Sequence, residues 1–137
     1  FVVTNTQLWK ANVANESDKH HQWFIRTMDS LGKKNASILG IGHYPIFLKT
    51  PDEEESYFNL PVAVRKEILT SLKKNNVKAY LSGHKHETLI NTFENIQLVS
   101  GETTSKNLDK RPLGFRLWHV NLDTIYHEFV PLKALID

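Results

Sequence analysis

The chain has 137 residues, a formal net charge of +2 with its seven histidines taken as neutral, and no cysteine. This length suits a single domain with one hydrophobic core, while the near-neutral charge predicts neither a nucleic-acid partner nor an anionic membrane partner, and no apolar stretch approaches the roughly 18 residues that span a bilayer. The lack of cysteine excludes disulfides and thiolate metal sites, and it fits a reducing compartment such as the cytoplasm without fixing the localisation.

The first element is a predicted strand over Phe1–Thr6, which is rich in β-branched residues. The chain has no starting Met and opens inside this run, so we expect it to be a fragment whose upstream half is missing. The alternative is a mature chain left after processing.

The next stretch alternates helices with buried strands. Apolar residues at helical spacing predict helices over Asn15–Lys34 and Pro61–Asn75. Short and nearly all-apolar runs predict central strands over Ser37–Ile41 and Val77–Leu81. The acidic stretch Asp52–Glu55 is predicted to be a solvated loop. Such alternation predicts parallel strands with right-handed crossovers.

After residue 87 the pattern changes to hairpins. Thr88–Phe93 and Ile96–Ser100 predict one hairpin around Glu94-Asn95, and Phe115–Leu122 with Ile125–Val130 predicts a second around Asp123. A polar loop, Gly101–Pro112, separates them. The whole chain is therefore expected to be one mixed α/β domain, or part of one.

Histidines follow both predicted central strands. His43 comes after Ser37–Ile41, and His84 and His86 come after Val77–Leu81. In open α/β sheets, functional groups gather at the carboxyl ends of the strands. A glycine precedes each site, and we expect it to let the backbone turn sharply and approach an ion. If the backbone there is extended, His84 and His86 point to the same side, and they could face two ions or share one.

The motifs "GHYP" at 42–45 and "GHKH" at 83–86 are in the order found in the second half of calcineurin-like metallophosphoesterases, and the chain resembles that family. The segment "IFLKTPDEEESYFNLPVAVRKEILTSLKKNNVKAYLSGHKH" is especially similar to the calcineurin-like phosphoesterase domain-containing branch, and "RPLGFRLWHV" resembles a late strand of that branch. The resemblance covers nearly the whole chain.

This resemblance implies a dinuclear centre of Mn, Fe or Zn ions, in which His43 and His84 would bind the second ion and His86 the first. The other ligands and a catalytic general-acid histidine come, in the family, from the earlier motifs Asp-x-His, Gly-Asp and Gly-Asn-His, which we expect upstream of this chain. Asp18-Lys19-His20 matches the first motif by letters only, because it lies within a predicted helix.

The fold that the resemblance implies is the C-terminal half of a four-layer α-β-β-α sandwich, a mixed sheet with terminal antiparallel hairpins. Residues 1–137 would then be half of one domain, whose absent N-terminal half is the expected partner. Without that half the fragment is expected to be inactive and to expose strand edges.

The implied activity is that of a phosphatase, in which two metal ions activate water for attack on a phosphomonoester, including phosphoserine or phosphothreonine in proteins. Two alternatives stay open: a non-catalytic binding or scaffold domain, and a structural site holding a single zinc ion.

Other polar and aromatic residues are weaker candidates. Tyr44, Tyr57 and Phe58 are predicted to form one wall of the substrate cleft, together with the acidic loop. A basic group in the polar loop could bind phosphate or be merely mobile; its members are Lys106, Lys110 and Arg111.

The remaining histidines are predicted to have no part in the site. His20 and His21 are expected to be solvated helix positions, and His119 and His127 to make cross-strand pairs in the second hairpin.

Overall fold

The computed structural model describes residues 1–121 and 124–132. Its elements in chain order are β1 (Val2–Val3), α1 (Gln7–Lys10), α2 (Glu16–Lys33), β2 (Leu39–Ile41), α3 (Val62–Lys74), β3 (Ala79–Ser82), β4 (Leu89–Phe93), β5 (Ile96–Ser100), β6 (Gly114–Val120) and β7 (Ile125–Pro131). Within the described ranges, none of the helices combines the length and the apolar character that a bilayer span requires.

The two long helices form where the apolar spacing predicts them. Helix α2 carries Glu16 in its first turn, near the positive end of the helix dipole, and it buries Phe24 and Met28 one turn apart. Helix α3 starts directly after Pro61, and it buries Ile68 among other apolar residues of the core.

The strands form a mixed five-stranded sheet in the order β1-β2-β3-β5-β4. The pairs β1–β2, β2–β3 and β3–β5 are parallel, and β4 pairs antiparallel with β5. Strands β6 and β7 form a separate antiparallel pair. The predicted change from parallel strands to hairpins is therefore confirmed. The end of the predicted strand Phe115–Leu122 and the predicted turn at Asp123 lie outside the described residues.

The two faces of the large sheet pack against different partners. Val2, Tyr80 and Leu98 share one cross-strand row and belong to the core cluster that also contains the buried faces of α2 and α3. On the neighbouring row, which faces the other way, the Gln97 side-chain amide donates to the Ile125 carbonyl oxygen of β7 at 3.1 Å. The helices thus cover one face, and the β6–β7 hairpin lies beside the other.

The N-terminal prediction is wrong in part. Only Val2–Val3 of the predicted strand Phe1–Thr6 is strand, and the unpredicted helix α1 begins immediately after Thr6. The chain leaves the sheet at Thr4, whose amide and hydroxyl both donate to the Ile41 carbonyl oxygen, at 2.8 and 2.9 Å. This early exit places Thr6 at the end of the sheet where β2 and β3 also end.

Candidate metal centre

The turns after β2 and β3 are joined to each other by backbone hydrogen bonds. The Gly42 amide donates to the Leu81 carbonyl oxygen at 2.9 Å, and the Gly83 amide donates to the His43 carbonyl oxygen at 3.0 Å. Because β2 and β3 are parallel with Ile41 opposite Leu81, these bonds continue the ladder beyond the strands. His43 and His84 therefore leave the same edge of the sheet from adjacent positions.

The His43 and His84 rings meet at this edge. His84 Nδ1 lies 3.0 Å from His43 Nε2, and the ring centroids are 4.8 Å apart at an interplanar angle of 72°. His43 is exposed and His84 is partly buried, with its Nε2 atom enclosed and without a hydrogen-bond partner among the described residues. The structure thus brings together two of the three predicted metal ligands.

The surroundings of His84 favour its neutral form. Burial lowers the pKa of His84 below its ordinary value, and the nearby His43 imidazole lowers it further. The Tyr57 backbone carbonyl acts in the opposite direction, although it makes no hydrogen bond of normal geometry with Nε2. Neutral imidazole is the form that binds metal ions.

Three aromatic side chains surround the His84 ring. The ring centroids of Tyr44, Tyr57 and Phe58 lie 4.0, 5.0 and 5.7 Å from that of His84. Tyr44 is buried, whereas 68% of Tyr57 is exposed. The three predicted cleft residues therefore lie together next to His84, and Tyr57 presents its ring to solvent.

The segment from His84 to His86 is not the extended backbone that would point both rings to the same side. His84 and His86 both have left-handed backbones, with φ values of 67° and 56°. The His86 ring instead places Nδ1 3.1 Å from the Lys106 carbonyl oxygen. Across residues 1–121 and 124–132, no group of three or more His, Cys, Asp or Glu side chains is positioned to hold a metal ion.

The two glycines do not have the role expected of them. None of the described glycines has a positive φ, so the sharp turn at 83–86 is made by the histidines themselves. Gly42 is needed for close packing, since a Cβ there would lie 2.0 Å from Tyr80 Oη and 2.5 Å from Thr6 Cγ2. A Cβ on Gly83 would meet open space.

Thr6 is a functional candidate that the sequence analysis missed. Its buried hydroxyl oxygen accepts hydrogen bonds from the His43 amide at 3.1 Å and the Tyr44 amide at 3.0 Å. Gln7, the next residue, contributes its side-chain carbonyl oxygen to the Tyr44 hydroxyl at 3.2 Å. The segment that follows β1 thus fixes the backbone that carries His43. A lone Thr between Asn5 and Gln7 gives no motif by which it could have been found.

The histidine nitrogens fit a metal ion in two respects. A separation of 3.0 Å between His43 Nε2 and His84 Nδ1 suits a shared proton, and it is close enough for both nitrogens to bind one ion. The Lys106 carbonyl oxygen can only accept, so the proton of neutral His86 sits on Nδ1 and the lone pair on Nε2. His86 therefore has the tautomer of an Nε2 ligand.

The acidic loop is solvated as predicted for Asp52–Glu55, since Asp52, Glu54 and Glu55 are exposed, but Glu53 is half-buried and held by hydrogen bonds. The Glu53 carboxylate accepts from the amides of Leu48, Lys49 and Thr50, at 2.6 to 3.2 Å, and from the Asn59 side chain at 2.7 Å. Burial opposes its ionisation, but these hydrogen bonds outweigh burial and lower the pKa of Glu53. The loop is thus a fixed support for Tyr57 and Phe58.

The prediction that His20 and His21 are solvated is wrong. His20 lies between Trp9 and Trp23, with ring centroids 5.0 and 5.4 Å away, and His21 Nε2 lies 2.9 Å from a Glu67 carboxylate oxygen. Both histidines join α2 to its neighbours. They are on different elements from the histidines at the sheet edge, which agrees with leaving Asp18-Lys19-His20 out of the site.

The cross-strand prediction for the last two histidines is confirmed. His119 stacks on Tyr126 with centroids 4.4 Å apart, and His127 contacts Trp118 at 4.6 Å. The basic group at Lys106, Lys110 and Arg111 lies in the loop beside His86, but only Arg111 forms an ion pair there among the described residues, with Asp109 at 3.7 Å.

Comparisons by sequence find related phosphatases. The chain is similar to serine/threonine-protein phosphatase CPPED1 of Mus musculus, with 33% identity over 140 residues that cover 98% of this chain and 44% of that protein. The Homo sapiens protein of the same name is 26% identical over 141 residues, covering 100% of this chain and 45% of the relative. The chain thus spans less than half the length of these relatives. No protein-family profile matches it.

Comparisons of structure agree on the fold. GAP50, the anchor in the inner membrane complex of Plasmodium, superimposes with a TM-score of 0.69 and 17% identity, over 94% of this chain and 44% of that one. A dimetal phosphatase from Danio rerio gives a TM-score of 0.62 and 15% identity, over 91% of this chain and 42% of that one. At such identities the likeness concerns the fold alone.

Proposed function

Because this chain belongs to the calcineurin-like metallophosphoesterase family, we propose that it forms part of a metal-dependent phosphatase that hydrolyses phosphomonoesters. The observation that carries the proposal is the 3.0 Å approach of His43 Nε2 and His84 Nδ1 at the carboxyl edge of two parallel strands. Two imidazoles that converge in this way form half of the donor set that a catalytic ion requires.

Each histidine has a defined task in this proposal. His43 and His84 would hold one ion, and His86, through Nε2, would hold a second. When bound, a pair of divalent ions supplies Lewis acidity toward the phosphoryl oxygens and lowers the pKa of water. The aromatic cluster packs around the His84 ring, and the Thr6 hydroxyl keeps the His43 backbone in place.

We further propose that residues 1–137 are the C-terminal half of one phosphoesterase domain. The described residues contain no three-ligand cluster, and the chain covers only 44% of the Mus musculus relative. The bridging carboxylate, the remaining ligands and the general-acid histidine would therefore come from the other half. In consequence, the 137 residues alone should show no turnover.

The substrate proposed is a phosphoserine or phosphothreonine side chain in a protein, since the relatives are named serine/threonine-protein phosphatases. Tyr57 and Phe58 would contact the part of the substrate next to the phosphoryl group, because they lie beside His84 and Tyr57 is exposed. We expect Phe58→Ala in the complete enzyme to lower kcat/KM unequally across several phosphoesters. Equal kcat/KM values for wild type and Phe58→Ala on every phosphoester would refute a role of Phe58 in substrate binding.

The decisive test uses the full-length protein with added Mn²⁺ and an aryl phosphate. The double variant His84→Ala, His86→Ala should lose both activity and bound metal, measured by elemental analysis. His119→Ala is the matched control, because His119 lies on β6 and contacts Glu128 and Tyr126 instead. Activity that survives the double substitution would refute the metal mechanism.

A scaffold role is the second candidate function. The fold does not decide between a phosphatase and a scaffold, since the chain superimposes on an anchor protein as well as on a dimetal phosphatase. The same assay separates the two functions. A full-length protein that binds no ion and hydrolyses no phosphoester would favour the scaffold.

A further inference from the structure

The loop that follows β5, residues 101–112, makes a set of hydrogen bonds to the segment that carries His86. We call this loop the clamp. The clamp contacts the His86 ring through the Lys106 carbonyl oxygen at 3.1 Å, and it contacts the His86 backbone through the Leu108 amide, which donates to the His86 carbonyl oxygen at 2.7 Å. The ring and the backbone of one histidine are thus both fixed by the same loop.

Two carboxylates of the clamp hold Thr88, two residues beyond His86. The Thr88 amide donates to Asp109 Oδ2 at 2.9 Å, and the Thr88 hydroxyl donates to Glu102 Oε1 at 3.0 Å. The backbone at His86 is left-handed, with φ of 56°, which is an unfavourable conformation for a residue with a Cβ. Bonds on its C-terminal side therefore oppose relaxation of the turn.

The clamp is anchored to the second sheet by a buried ion pair. Only 2% of the Glu102 side chain and 9% of the Arg116 side chain are exposed, and the two groups make a charge-assisted contact. Arg116 Nε also donates to Glu102 Oε2 at 3.2 Å, and Arg116 Nη1 lies 2.8 Å from His127 Nδ1. The position of His86 thus depends on the β6–β7 hairpin.

We propose that Asp109 is a positioning residue that keeps the His86 ring against the Lys106 carbonyl oxygen, with Nε2 free to bind one ion. Asp109 joins the two sides directly, since it accepts from Thr88 through Oδ2 and from the Arg111 amide through Oδ1 at 3.1 Å. Without it, the clamp loses its bond to the Thr88 amide but keeps those of Glu102 and Leu108, so the Lys106 carbonyl oxygen is held less firmly against the His86 ring. This inference rests on the proposed metal-dependent function.

Asp109 makes no hydrogen bond to the His43–His84 pair within the described part of the chain, although the clamp reaches the end of β3 through the Gly101 amide, which donates to the Ser82 carbonyl oxygen at 3.0 Å. His43 and His84 are fixed by the strand ends, by Thr6 and by the aromatic cluster. Loss of Asp109 should therefore weaken the binding of the ion at His86 and leave the binding of the ion at His43 and His84 unchanged.

The test compares Asp109→Ala and Asp109→Asn in the full-length protein, with Ser105→Ala as the control. Ser105 is an exposed residue of the same loop whose side chain makes no hydrogen bond within the described part of the chain. Titration with Mn²⁺ should show that Asp109→Ala weakens one of two sites about 10- to 100-fold, the usual effect of losing a group that orients a ligand. Asp109→Asn keeps one of the two acceptor oxygens. Its Mn²⁺ affinity at the weakened site should therefore lie between those of Asp109→Ala and wild type.

A second readout is the tautomer of His86, observed by nitrogen-15 NMR of the metal-free protein. Wild type should show the Nδ1–H form, and Asp109→Ala a mixture of the two tautomers. Wild-type affinity at both sites in Asp109→Ala, or equal weakening in Ser105→Ala, would overturn the inference. Failure of the proposed function looks different, because the wild-type protein itself would then bind no Mn²⁺.

Discussion

Arg65 offers the sharpest test of how the fold supports the site. Its side chain is fully buried, and its guanidinium group donates to the carbonyl oxygens of Pro51, Glu53 and Leu60, each at 2.8 Å. All three acceptors belong to the segment that carries Tyr57 and Phe58. One cation on α3 therefore holds together the loop that packs against His84.

We expect Arg65→Met to destabilise the protein strongly. A buried acceptor left without a donor costs about 1–3 kcal/mol, so three such carbonyls would cost roughly 3–9 kcal/mol. Pro51 and Glu53 are only partly buried, and water can replace the lost donor at both. The expected loss is therefore near the lower end, about 3–4 kcal/mol, a large part of a typical stability of about 5–15 kcal/mol.

Urea denaturation of the full-length protein measures this loss by linear extrapolation. Lys66→Met is the matched control, because Lys66 is the exposed neighbour of Arg65 on the same helix. Arg65→Lys should recover only part of the stability, since a single ammonium group cannot serve three acceptors in the geometry of a planar fork. A loss below about 1 kcal/mol for Arg65→Met, well under the cost of three unpaired acceptors, would refute the reasoning.

Two further substitutions test the packing and the electrostatics of the same region. Gly42→Ala should cost about 1–3 kcal/mol in a denaturation experiment, because the new Cβ would clash with Tyr80 Oη and Thr6 Cγ2; unchanged stability would mean that the turn shifts freely. The pKa of Glu53 is lower in the folded protein than its ordinary value of 4.5, so its contribution to stability is present above that pH and is lost as the pH falls. The stability difference between wild type and Glu53→Gln should therefore shrink below about pH 4.5, and a constant difference down to pH 3 would contradict the assignment.

The parts of the fold that could be predicted from the sequence are those fixed by local patterns. The hairpin around Glu94-Asn95 ends within a residue of its predicted limits, because alternation and turn residues both act over a few positions. Helix α3 likewise begins directly after Pro61, because a proline favours the start of a helix at the residues that follow it. By contrast, the four residues of α1 are too few for a periodic pattern, and their helix depends on packing of Trp9 against α2.

The candidate site also has parts that the sequence predicts and parts that depend on tertiary contacts. The positions of His43 and His84 follow from strand ends in a parallel sheet, a rule that needs only the order of the elements. The direction of His86 does not, because a His-x-His pattern contains no sign of a left-handed backbone. Likewise, the Asp52–Glu55 loop is solvated as its composition predicts, but the composition gives no sign of the hydrogen bonds that hold Glu53, including those from Asn59 and from the Leu48 amide.

The two histidines of one short motif are therefore held by unrelated means. His84 is fixed by ladder bonds and aromatic packing, which act as soon as β2 and β3 pair. His86 is fixed by hydrogen bonds from a loop that follows β5 and is anchored on β6. Since the second support requires the β6–β7 hairpin to be in place, the two proposed ligand positions should respond separately to substitution. If the proposed ions bind, a change in the hairpin should alter the affinity for the ion at His86 and leave the affinity for the ion at His43 and His84 unchanged.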